Sequence, residues 1–123
     1  MTPLSGFAAV FTVTEVAAAL AFYRDRLGFS VGFVVGEPAD YAMVQRDSVC
    51  LHLMPAAWGK GGAGASSVYV FTPAVDALHA ELLGRGATVA QGPQDEPYGM
   101  REFQLRDPDG NALTFGQAVP AAT

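Results

Sequence analysis

Apolar and polar positions alternate along this chain with two different periods, and each change of period marks the boundary of an element. Phe7 to Val13 is rich in aromatic and branched residues, which suits a strand. Thr14 stands where a helix N-cap is expected, and Val16, Leu20, Tyr23 and Leu27 recur at helical spacing as far as Gly28, placed as a C-cap. Phe29 to Val35 reads as a second strand, broken by Gly36-Glu37-Pro38. Tyr41 to Arg46 and Val49 to Met54 follow as two more, joined by a turn at Arg46-Asp47-Ser48. The first half is therefore strand, helix, three strands.

After Ser66 the same pattern starts again. Val68 to Phe71 reads as a strand, Thr72-Pro73 opens a helix lined on one side by Val75, Leu78 and Leu82, and Arg85-Gly86 ends it. Ala87 to Ala90 is predicted as a short strand and Gln91 to Tyr98 as a loop. In the closing hairpin, Phe103 and Leu105 alternate with Glu102, Gln104 and Arg106, and Leu113 and Phe115 alternate with Ala112, Thr114 and Gly116. Between them Asp107-Pro108-Asp109-Gly110-Asn111 has the residues a tight turn demands. Leu27-Gly28 and Arg85-Gly86 correspond at a separation of about sixty residues, so the chain reads as two copies of one βαβββ unit. The 123 residues form one domain, with units over about 5–55 and 66–118. Pro55 to Ser66, with Trp58 and Gly59-Lys60-Gly61-Gly62, reads as a mobile Gly-rich linker; the glycine spacing of a phosphate loop is missing.

Composition narrows the function classes. With 50% hydrophobic and 15% charged residues the chain is globular. A net charge of −5 and a pI near 4.7 argue against nucleic acid or an anionic membrane as partner, and attract a cationic small molecule. The single Cys50 excludes an intrachain disulfide. No apolar run reaches the length of a membrane span, and no basic segment followed by a long apolar one opens the chain. A cytoplasmic location is expected.

Two motifs resemble a known family. Tyr23-Arg24-Asp25-Arg26-Leu27-Gly28-Phe29 is similar to the FYxxxLGF segment of the vicinal oxygen chelate superfamily, which includes glyoxalase I, extradiol dioxygenases, fosfomycin-modifying enzymes and bleomycin-resistance proteins. Pro97-Tyr98-Gly99-Met100-Arg101-Glu102-Phe103, followed by Asp107-Pro108-Asp109-Gly110-Asn111, resembles the PWGxREF…DPxGN signature of the bleomycin-resistance branch. The resemblance implies an α+β fold in which two βαβββ repeats build a cup-shaped half-barrel sheet, with helices on the convex side and ligand chemistry on the concave side. It also implies a homodimer.

The resemblance places the family's metal ligands at Ala8, His52, Ser67 and Thr114 of this chain. Ala8 has no lone pair and Ser67 and Thr114 offer neutral hydroxyls, whereas a catalytic divalent metal wants about three His, Cys or carboxylate ligands. Thr114 also cannot act as the proton-shuttling carboxylate of a glyoxalase-type isomerisation. No catalytic residue, metal or cofactor is therefore assigned, and the expected function is to bind and sequester a bulky aromatic, cationic, antibiotic-like molecule, conferring resistance without changing it. The alternative is a metal-dependent lyase, isomerase or dioxygenase with ligands at other positions. His52 either contacts ligand in the cup or is an inward histidine satisfied by a neighbour. His79 is expected at the surface, and Cys50 as a partly buried, inert thiol.

Aromatic residues make up 11% of the chain. With Phe7, Phe11, Phe22, Phe103 and Phe115 assigned to the helix-facing core, Phe33, Trp58, Tyr69, Phe71 and Tyr98 are left for the cup or its rim. Alternation turns Glu102 toward the cup, while Asp95-Glu96 reads equally as acidic rim or as solvated loop charge. The predicted ligand-binding set is Phe33, His52, Met54, Trp58, Tyr69, Phe71, Tyr98, Met100, Glu102 and Thr114.

Overall fold

The computed structural model describes residues 1–59 and 61–120. Strand β1 (Ala9–Val13) leads into helix α1 (Val16–Asp25), and strands β2 (Ser30–Val35), β3 (Tyr41–Arg46) and β4 (Val49–Pro55) complete the first unit. The second unit holds β5 (Ser67–Phe71), α2 (Val75–Gly84), β6 (Gln94–Asp95), β7 (Met100–Arg106) and β8 (Ala112–Ala118). Each unit forms its own four-stranded sheet, ordered β1-β4-β3-β2 and β5-β8-β7-β6. In both, the first strand lies parallel to the last and the remaining pairs are antiparallel. The fold is α+β, with two open sheets and one helix on each.

Period two decides which side of each strand meets a helix. In the first unit Phe11 and Val13, Ala42 and Val44, and Leu51 and Leu53 lie buried on the side of α1, against Val16, Ala19, Tyr23 and Leu27. In the second, Val70, Phe103, Leu105, Leu113 and Phe115 face α2 through Val75 and Leu82. One apolar cluster runs through both units. Each fully buried leucine contributes about 1.5–3 kcal/mol.

Several boundaries differ from the sequence expectation, each for a local reason. Phe7 precedes β1, has no strand partner and is 88% exposed, so it is not core. Thr14 does not cap α1; its amide and hydroxyl both donate to Asp109 Oδ1, at 3.2 and 2.6 Å. Helix α2 begins at Val75, whose amide donates to Gln117 Oε1 at 2.6 Å, so its first turn is held from β8. Ala87 to Ala90 is not a strand. The Ala87 amide closes α2 by donating to Leu82 O, and the free edge of β7 is taken by Gln94–Asp95, inside the predicted loop. His79 is half-buried, its ring edge-on to Phe103 at 5.1 Å. The linker is held at both ends: Ala56–Trp58 forms a short 3-10 turn and the Gly64 amide donates to Thr12 O. Lys60 lies outside the described residues.

The turn at Asp107 to Asn111 fastens one unit to the other. Asp107 is 5% exposed, and its carboxylate accepts four hydrogen bonds. Oδ1 takes the amides of Asp109 and Asn111, and Oδ2 takes the Asn111 side-chain amide and the Tyr23 hydroxyl of α1, at 2.8 and 2.9 Å. Asn111 is fully buried; its Nδ2 also donates to Thr12 O of β1, and its Oδ1 accepts from the Ser66 amide. At the far ends of the helices the units meet again. Arg46 donates to Leu27 O and to Glu81, and Glu81 also pairs with Arg85. The Arg85 guanidinium lies over Gly28 while that of Arg26 lies over Gly86, so a side chain on either glycine would strike an arginine of the other unit.

Tyr23→Phe should lower the unfolding free energy at neutral pH by about 1–3 kcal/mol, measured by urea denaturation, because it takes a donor from a buried carboxylate. Burial first, and then the negative charge of Asp107, hold the Tyr23 phenol well above its ordinary value of about 10. A group raised on folding contributes fully below its unfolded value and loses that contribution as the pH climbs past it, because the unfolded chain releases its proton first. Between pH 9 and 11 on the order of a unit either side of that value, the wild type should therefore lose stability more steeply than Tyr23→Phe. Equal slopes would exclude this linkage.

Candidate functional site

The faces of both sheets turned away from the helices carry the side chains left over by the core. In the first unit, cross-strand register sets Phe33 beside Met43, Met43 beside His52, and His52 beside Val10. Tyr41 follows on the same face of β3, two residues from Met43. Tyr41 is the hub of an aromatic group. Its ring stacks on Phe33 (centroids 6.4 Å, 9° between planes) and on Trp58 (5.5 Å, 17°), while His52 stands edge-on to it at 5.5 Å. The Tyr41 hydroxyl and His52 Nδ1 share a hydrogen bond of 2.8 Å. The histidine is thus satisfied by a neighbour and still half exposed among rings.

In the second unit, register sets Tyr69 beside Thr114 and Thr114 beside Gln104, with Phe71, Gly116 and Glu102 in the next row. Thr114 is buried and its hydroxyl oxygen accepts from Gln104 Nε2 at 3.1 Å. The rows are tied by Tyr69, whose phenol crosses over Gly116 to donate to Glu102 Oε1 at 3.1 Å. Any side chain at 116 would collide with that hydroxyl, so this strand-centre glycine is what lets the tyrosine lie down. Tyr98, on the turn before β7, donates to the same Oε1 at 2.6 Å. The bond to the Glu102 carboxylate stabilises the neutral phenol and pushes the Tyr98 pKa up to about 12. Tyr69 is raised as well, first by desolvation and then by Glu102.

The ten residues selected from the sequence thus fall into two groups. Phe33, His52 and Trp58 meet around Tyr41, with Met54 on the same face of β4 two residues from His52. Tyr69, Phe71, Tyr98, Glu102 and Thr114 gather on the second sheet, with Met100 two residues from Glu102 and opposite Ala118. No ring contact or hydrogen bond among the described residues joins one group to the other. Tyr41 and Gln104 were missing from the set. Alternation within β3, where Ala42 and Val44 are core, was the signal that would have found Tyr41.

A metal site does not fit these faces. The register sets Val10 beside His52 and Tyr69 beside Thr114, and Ala8 and Ser67 lie two residues earlier. Apart from His52, none of these offers a donor stronger than a hydroxyl. Among the described residues, no three His, Cys, Asp or Glu side chains come together in a way that could hold a metal ion.

Comparison with known proteins finds the same fold elsewhere. The family model described as Glyoxalase/Bleomycin resistance protein/Dioxygenase superfamily matches residues 7–115. The crystal structure of the bleomycin-binding protein from bleomycin-producing Streptomyces verticillus, complexed with copper(II)-bleomycin, is similar with a TM-score of 0.78 and 28% identity, covering 98% of this chain and 100% of that one. TnmS3, an antibiotic binding protein from Streptomyces sp. CB03234, is similar with a TM-score of 0.73 and 26% identity over 95% of this chain and 99% of its own. Virulence protein STM3117 of Salmonella typhimurium is 26% identical over 117 residues, 89% of this chain and 81% of that protein.

The clamp on Glu102 can be read by titration. Tyrosinate absorbance should show one phenol ionising near pH 12, and Glu102→Gln should move it back toward the ordinary value of about 10, since a carboxamide removes the charge that opposes ionisation. An unmoved titration would mean that Glu102 does not hold Tyr98 in solution.

Proposed function

Because the chain belongs to the glyoxalase/bleomycin resistance protein/dioxygenase superfamily, we propose that it binds a bulky aromatic molecule of antibiotic type and holds it unchanged. The observation that carries this reading is the aromatic stack beside His52, in a chain whose Ala8, Ser67 and Thr114 supply no strong metal donor. Around His52, where a metalloenzyme needs further ligands, this chain stacks Phe33, Tyr41 and Trp58. Flat rings of that kind favour a planar conjugated guest, each pair adding about 0.5–1.5 kcal/mol beyond area burial. The names of two relatives, a bleomycin-binding protein and an antibiotic binding protein, support the same direction. Resistance would follow from mass action, since a tight complex lowers the free drug without any covalent change.

The working unit of this proposal is a cytoplasmic homodimer. Exposed apolar residues such as Val10, Phe33 and Phe71, together with open sheet edges, are surfaces that a second copy would cover. In such a dimer each ligand lies between an aromatic face and the Glu102 face, and the net charge of −5 favours a cationic guest.

A thermal-shift screen of natural-product antibiotics tests the reading, followed by calorimetry and recovery of the ligand for mass spectrometry. Saturable binding with the ligand recovered intact is expected; turnover that depends on added metal would replace the proposal with an enzyme. For the ligand so found, Trp58→Ala should weaken affinity by about 1–3 kcal/mol, as an aromatic hot spot does. The melting temperature should change little, because Trp58 is 52% exposed.

A further inference from the structure

We propose that the Tyr69, Tyr98 and Glu102 group is an acceptor-only cage for an organic ammonium group, a second subsite apart from the aromatic ladder of the first unit. The inference rests on the reading that the sheet faces turned from the helices carry the ligand, and deepens it by assigning one chemical group to one place. The argument starts with proton counting. A tyrosine hydroxyl has one proton to donate, and both tyrosines donate theirs to Glu102 Oε1. No hydrogen bond among the described residues falls on Oε2. What the group offers a ligand is therefore a carboxylate oxygen, phenol lone pairs and ring faces, all electron-rich and none a donor.

The surroundings reinforce that polarity. Tyr69, Phe71 and Tyr98 leave 37%, 77% and 64% of their surface open, so their rings stand free around the carboxylate. Ring faces attract alkylated ammonium cations, more strongly where water is displaced. Beside Glu102 a cleft of about 240 Å³ is lined by Glu96 and the carboxamides of Gln91, Gln94 and Gln104, and no basic side chain is among its described lining residues. The nearest guanidinium in sequence, Arg101, points to the other face of β7, where Asp76 and Asp95 hold it at 2.8 and 3.2 Å. Among the described residues no basic side chain pairs with Glu102. The placement is also built in, because Tyr69 reaches Glu102 only across the bare backbone of Gly116.

Choline and its neutral isostere 3,3-dimethyl-1-butanol separate charge from shape. Nuclear magnetic resonance titration of the full-length protein, with no antibiotic present, should show choline shifting the Tyr69 and Tyr98 ring signals at least roughly tenfold more tightly than the neutral alcohol. Glu102→Gln should abolish that preference while leaving the melting temperature unchanged, and Tyr98→Ala should weaken choline by several-fold. Asp25→Asn removes an equal charge from an exposed position on α1 and should leave choline binding as it was. Equal binding of the two probes, binding of neither, or a choline preference that survives Glu102→Gln overturns the cage. So does a Tyr98→Ala protein whose oligomeric mass falls while its choline affinity holds, since the rings would then serve contact between copies. Any of these results leaves the sequestration reading to its own screen, and failure of that screen leaves a measured ammonium subsite standing.

Discussion

The fold depends on one buried negative charge. Asp107 sits at the corner of the last hairpin, where a carboxylate would ordinarily be hydrated, and replaces water with two backbone amides, one side-chain amide and one phenol. Removing such a charge from water costs several kcal/mol, so the arrangement persists only when every donor is in position. The donors come from different parts of the chain. Tyr23 belongs to the first helix, and Asn111 is itself fixed by Thr12 of the first strand and Ser66 at the end of the linker. A turn motif that looks purely local thus sets how the first unit meets the second, and through it the position of both strand faces.

Much of this was legible in the sequence because period and burial agree. Val16 and Tyr23 on α1, Leu27 just after it, and Leu113 and Phe115 on β8 are core as the pattern demanded. What escaped was decided by partners far along the chain. Thr14 has the chemistry of an N-cap, yet Asp109, from the other unit, takes both its donors. Ala87 to Ala90 has no intrinsic reason to avoid a strand; Gln94–Asp95 occupies the edge that it would need. Aromatic content alone could not separate Phe7, which finds no covering element, from Phe11, which does.

The candidate site divides in the same way. Strand alternation is enough to turn Glu102, Tyr69 and His52 away from the helices, one residue at a time. Their partnerships are a different matter. That two phenols share one carboxylate oxygen follows from the order β5-β8-β7 and from the absence of a side chain at 116, facts about three strands at once. Tyr41 lies on the face of β3 opposite its buried Ala42 and Val44, and there it organises three neighbouring rings.

The exchange of arginines at the helix ends has a further consequence. Each unit covers a glycine of the other with a guanidinium, which is the reciprocal kind of contact that separate subunits make across a two-fold axis. Here both partners belong to one chain, and the segment from Ala56 to Ser66 tethers them. A tether of that length presents one unit to the other at an effective concentration of roughly millimolar. An interface that would be modest between free molecules is therefore occupied at any dilution, and the chain can keep the faces opposite its helices for other work than holding itself together.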